Sequence, residues 1–120
     1  MADAEVKSFD SPDEVRPFEG KGQAEVLNIG GKVVGRATFE PGWKWSENVK
    51  PIAKTDSCQV SHLVYVISGR MRVYMDDGAE HEMGPGEVVA IPPGHDAEVV
   101  GDEACVVLDF GEFGDYAKQS

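Results

Sequence analysis

The chain has 120 residues, with 22 acidic side chains against 11 basic ones and a formal net charge of −11. That length suits one domain with one core, and the charge sets its surface against phosphate backbones and anionic headgroups, so neither a nucleic-acid nor a membrane partner is expected. No stretch reaches the roughly 20 apolar residues that cross a bilayer, the first residues lack the basic and apolar regions of a secretory signal, and Cys58 and Cys105 are too few for a disulfide framework. A cytoplasmic protein with reduced thiols is the expectation.

In chain order, residues 1–20 read as an arm with one short turn of helix, because Pro12 and Pro17 interrupt any longer element. A strand over 24–29 ends at Gly30-Gly31, which suits a hairpin turn, and 32–40 is the returning strand. Pro41-Gly42 breaks it, and an irregular loop runs to Asp56. Residues 58–67 form the next strand, and Ser68-Gly69 turns it into 70–75, where Met71, Val73 and Met75 alternate with Arg70, Arg72 and Tyr74. That period of two marks a half-buried strand with the first set inward. Turns at Asp76-Asp77-Gly78, Gly84-Pro85-Gly86 and Pro92-Pro93-Gly94 then delimit short strands, including 87–91, 97–100 and 104–110. No helix of ten residues is predicted. The fold class is all-β, a sandwich or barrel of about eight short strands, with the barrel over 21–113 and a tail over 114–120. The predicted core is Val64, Val66, Met71, Val73, Val89, Ile91, Val99 and Val106.

Residues 56–101 carry a spaced pattern. Asp56, Cys58, His62 and Gly69 fit the second half of G-x5-H-x-H-x3-E-x6-G, and Gly86, Pro92, Gly94, Ala97 and Gly101 fit G-x5-P-x-G-x2-H-x3-N. In this the chain resembles the cupin superfamily, whose members fold as double-sheet jelly-roll barrels, and the phrases around Trp43, Gly69 and Pro92-Pro93-Gly94-His95-Asp96 resemble a group of small bacterial cupins. The resemblance implies that the four family positions for a divalent metal fall on Asp56, Cys58, His62 and Ala97. One ligand is therefore lost and the Glu has become His, while residues 46–55 read as an insertion. The family's standard site is not intact. Zinc, iron, nickel or manganese remains a possible cofactor on a changed ligand set.

His62 shares strand parity with Val64 and Val66, and the resemblance turns that face toward the cavity. There a neutral imidazole can bind metal or carry protons; a core histidine satisfied by one hydrogen bond is the competing reading. Cys58 has the same parity and is either a thiolate ligand or a small buried hydrophobe. Asp56 is a third candidate ligand that can equally cap a turn. His95, two residues before the lost position, is either a surface turn histidine or a second ligand or acid facing the same side; Asp96 beside it would fix its tautomer, although neighbours on a strand face opposite ways. His81 lies between Glu80 and Glu82 and is expected in solvent. Trp43 and Trp45 either stack on a ligand or plug the barrel end, and Lys50 in the insertion is a candidate for an anionic substrate.

These residues lead to a small-molecule enzyme of the lyase or isomerase type, acting on a polar organic substrate in the barrel with His62 as general base or metal ligand. A non-catalytic binding or sensory barrel is the alternative, and a metal-dependent dioxygenase is third. Leu63, Tyr65 and Ile67 make the same strand apolar on its other face, so a homodimer is expected.

Overall fold

The computed structural model describes residues 3–111. Nine strands are all paired antiparallel: β1 (Glu14–Pro17), β2 (Gly22–Ile29), β3 (Lys32–Phe39), β4 (His62–Ser68), β5 (Arg70–Met75), β6 (Glu80–Met83), β7 (Val88–Ile91), β8 (His95–Val100) and β9 (Cys105–Asp109). They form a six-stranded sheet in the order β1-β2-β3-β9-β4-β7 and a three-stranded sheet in the order β6-β5-β8. This is the jelly-roll barrel that the sequence pattern implies. Among the described residues no helix is long and apolar enough to cross a membrane.

Alternation sets which side chains fill the space between the sheets. His62, Val64 and Val66 of β4, Met71 and Val73 of β5, and His95, Ala97 and Val99 of β8 are buried, with exposed or half-buried residues between them. One end of this interior is closed by aromatics: Phe18 stacks on Phe39 at 5.3 Å between centroids, and Trp43 lies 4.3 Å from Phe39. Ser68-Gly69 joins the two sheets where only glycine fits. Gly69 has φ +77°, and a Cβ there would sit 2.3 Å from the Ala104 carbonyl oxygen.

Four details depart from the sequence-based expectations. The segment read as an arm supplies an edge strand, β1, in place of a helical turn; its proline falls on the last residue of a strand that pairs on one side only. The loop after Pro41-Gly42 is not irregular throughout, since Trp45–Asn48 (α1) and Lys50–Ala53 (α2) each form one helical turn, the second with a proline in its first turn. The strand predicted over 58–67 is broken, with Cys58 in a lone bridge to His95 and β4 starting at His62. In β9 the inward residues are Cys105, Val107 and Asp109, so Val106 is half-buried on the other side. A one-residue shift of parity exchanges the faces of a strand, and the register against β4 does shift between Val66 and Ser68. The tail expected over 114–120 lies outside the described residues.

Candidate metal centre and cavity

Backbone pairing brings the polar residues of the interior together. The Cys58 amide donates to the His95 carbonyl oxygen at 2.7 Å, and Gly94 N donates to the Cys58 carbonyl oxygen at 2.7 Å. The short segment holding Cys58 is thereby fastened to the start of β8. His62 opens β4, paired with Ile91 of β7. Asp109 ends β9 on the neighbouring strand, opposite Val64. All four side chains are buried.

Each imidazole is anchored through Nδ1. That of His62 lies 2.5 Å from Asp109 Oδ2, and that of His95 lies 2.9 Å from the Pro92 carbonyl oxygen. Both partners accept only, so each ring carries a proton on Nδ1. His62 Nε2 is 3.6 Å from Cys58 Sγ, and the rings meet edge to face with centroids 5.2 Å apart. One donor atom from each of Cys58, His62 and His95 lies within 4.8 Å of the others.

The electrostatics follow from these contacts. Burial alone would push the Cys58 thiol up, but hydrogen bonds from His62 and His95 overcome it and bring the pKa down to about 6. Burial would likewise push His62 down, but the hydrogen bonds to Asp109 and Cys58 outweigh that and raise it to about 9. Cys105 has no such partner among the described residues, and burial, with Glu103 adding to it, raises its thiol to about 11. The two cysteines therefore differ in kind, one a thiolate near neutrality and the other an inert thiol.

The donor set fits a divalent ion. A thiolate and an imidazole nitrogen on one tetrahedral zinc, with bonds of about 2.3 and 2.0–2.1 Å, stand roughly 3.5 Å apart, against 3.6 Å here. Each histidine also has the Nδ1 acceptor that a metal-bound imidazole uses to fix its ring. His62, His95 and Asp109 face a cavity of about 40 Å³ whose walls include Phe39, Trp43, Trp45, Met71, Met83 and Ile91. Those walls are apolar, so the polar organic substrate expected from sequence meets few complementary groups beyond the histidine end.

The sequence-predicted residues divide. Cys58, His62 and His95 are brought together. Asp56 is exposed and lies outside the ligand group; it sits before the Cys58 bridge, in a bend that keeps it in solvent. Trp43 and Trp45 are buried and line the cavity, with indole N–H groups that find no acceptor among the described residues. Lys50 does not reach the cavity, because it begins α2 on the flank of the barrel, half-buried. Asp96 does not orient His95; its Oδ1 accepts from the Ser46 and Ala97 amides, since strand neighbours face opposite ways. His81 is exposed on β6. Sequence reasoning missed Asp109. The available signal was a lone carboxylate at the end of an apolar strand, and the mistaken parity of β9 hid it.

The similarity to known proteins agrees with this architecture. Residues 35–111 match the family model described as Cupin domain, and no curated protein matches. Among solved structures, the polyketide cyclase RemF from Streptomyces resistomycificus superposes with a TM-score of 0.62 at 20% identity, over 88% of this chain and 76% of that one. A sugar phosphate isomerase of the cupin superfamily from Silicibacter pomeroyi gives 0.61 at 22% identity, over 88% and 73%. A protein of unknown function from Acinetobacter sp. ADP1 gives 0.60 at 15% identity, over 83% and 90%. At these identities the likeness is one of fold. The family match covers the segments that carry Cys58, His62, His95 and Asp109, and with the two-sheet barrel already in place it is decisive: the chain belongs to the cupin family.

Proposed function

We propose that the protein is a small-molecule enzyme of the lyase or isomerase type, with one divalent metal held by Cys58, His62 and His95 at the polar end of an otherwise apolar cavity. The observation that carries this reading is the paired anchoring of the two imidazoles. Asp109 and the Pro92 carbonyl each tie down an Nδ1, and the Nε2 of His62 is turned to Cys58. A thiolate with two imidazoles favours zinc or iron over manganese, which prefers oxygen donors. A metal bound there would supply Lewis-acid polarisation of a carbonyl or an activated water. The chain's own part is to line the cavity with Trp43, Trp45 and Phe39 and to hold His62 and His95 at its polar end. A dioxygenase is less well supported, because a thiolate stands where non-haem iron oxygenases have a carboxylate.

The test is metal analysis of protein purified without a histidine tag, with Cys58→Ser, His62→Ala, His95→Ala and His81→Ala beside the wild type. Near-stoichiometric zinc or iron is expected in the wild type and in His81→Ala. Loss of uptake by about 100-fold or more is expected in His62→Ala, with a smaller loss in His95→Ala. His62→Ala should cost stability by only about 1–3 kcal/mol. Uptake that survives in His62→Ala overturns the site. A metal-free wild type that retains an organic molecule would favour the binding or sensory reading.

A further inference from the structure

The chain that leaves β9 returns to the start of β4 through three contacts. Phe110 N donates to the Leu63 carbonyl oxygen at 2.8 Å. Gly111 N donates to Asp109 Oδ1 at 2.9 Å. Asp109 Oδ2 meets His62 Nδ1 at 2.5 Å. The carboxylate is thus divided, with one oxygen on the backbone and the other on the ring. Gly111 lies so close to β4 that a Cβ would fall 2.7 Å from Leu63 N, 2.8 Å from Ser61 O and 2.9 Å from the His62 Cα. All three are main-chain atoms, so none can swing aside as a side chain would.

We propose that Asp109 and Gly111 form a positioning device that keeps a proton on His62 Nδ1 and turns its Nε2 toward Cys58 and the cavity. Two features make the device specific. The Gly111 amide fixes which oxygen of residue 109 faces away from the ring, and the missing side chain at 111 lets that amide reach it. Asparagine at 109 has the same shape with one oxygen in place of two. With that oxygen held by the Gly111 N–H, the amide NH₂ must face His62 Nδ1, and a donor there requires a lone pair on the ring nitrogen. The ring proton then moves to Nε2, where it blocks metal binding and proton uptake from the cavity. An aspartate that served packing alone would leave the tautomer unchanged on this substitution.

The consequence for metal rests on the proposed function, but the lock is measured without metal. Nitrogen-15 spectra of the metal-free protein at about pH 10, well above the ordinary histidine range, report which ring nitrogen is protonated. Nδ1–H is expected in the wild type and Nε2–H in Asp109→Asn, with zinc affinity in the latter reduced about 10- to 100-fold. Gly111→Ala, which leaves the carboxylate in place, is expected to keep the native circular dichroism and weaken zinc about tenfold by displacing it. Retention of Nδ1–H in Asp109→Asn, or Nε2–H in the wild type, overturns the lock. The wild-type spectrum alone decides the matter should Asp109→Asn fail to fold. Unchanged zinc affinity in Gly111→Ala removes Gly111 from the device. A tautomer that switches as expected in a protein indifferent to zinc upholds the lock and overturns the metal reading.

Discussion

The two faces of β4 are made of similar residues and are used differently. On the inner face His62, Val64 and Val66 are all buried, and His62 meets Asp109, Cys58 and His95. On the outer face Leu63, Tyr65 and Ile67 remain 44%, 41% and 45% exposed. Tyr65 is paired across the sheet with Leu108 and Val88, and Val88 and Phe110 are exposed as well, so the outer apolar surface continues onto both neighbouring strands. A buried polar residue needs partners, and those partners show what it does. An exposed apolar face needs only cover.

The largest effect expected from this contrast is on assembly. The outer face is expected to pair with a second copy, giving a homodimer of about twice 13.0 kDa by light scattering. Tyr65→Arg combined with Ile67→Lys places charges in the middle of that face and should yield a monomer. Its zinc content should be unchanged, because neither side chain faces the metal ligands. A wild type that runs as a monomer at micromolar concentration would refute the dimer, and loss of zinc on dissociation would show that the two faces are coupled.

The legibility of these features in the sequence follows the same division. Period-two alternation and glycine–proline turns place β5, β7 and β8 within a residue or two, because a short turn ends each of them. His62 and Cys58 are readable from parity and motif spacing. Asp109 is not, since its inward direction comes from its pairing with Val64, a contact far apart in sequence. Asp56 fails for a related reason. Motif position places it at a ligand site, while the fold turns the chain before Cys58 and leaves it in solvent. Lys50 was a candidate only because it lies in the inserted segment, and the short helical turn there carries it away from the cavity.

A smaller effect separates the two cysteines. In the metal-free protein, thiolate absorbance should titrate for Cys58 near pH 6, while Cys105 stays protonated to about 11. The Cys58 pKa is lowered on folding, so its contribution to stability is present above the unfolded value of 9.0 and lost as pH falls through about 6. His62 runs the other way. Its pKa is raised, so its contribution is full below 6.5 and lost as pH rises through about 9. His62→Ala removes the larger of the two hydrogen bonds that hold the thiolate and should shift the Cys58 titration upward by about a unit or more. An unmoved titration would mean that His95 alone holds the thiolate.

The smallest effect is expected where the metal is removed and nothing else is changed. The side chains that are most completely buried, among them Val26, Val49, Val66, Val73 and Trp43, belong to the core and not to the ligand set. The three ligands lie at one end of an interior that is otherwise apolar. Zinc fingers, by contrast, fold on their ion because they lack such a core. Zinc at about 100 times its Kd would add roughly 2.7 kcal/mol, less than the about 3–5 kcal/mol expected for emptying the aromatic end by Phe39→Ala. Exhaustive chelation should therefore lower Tm and leave a cooperative transition, whereas Phe39→Ala should destabilise the barrel more even with zinc present. Loss of cooperative melting on chelation alone would reverse that order. It would make Cys58, His62 and His95 a structural staple, and the cavity beside them would then be a by-product of how the barrel is closed.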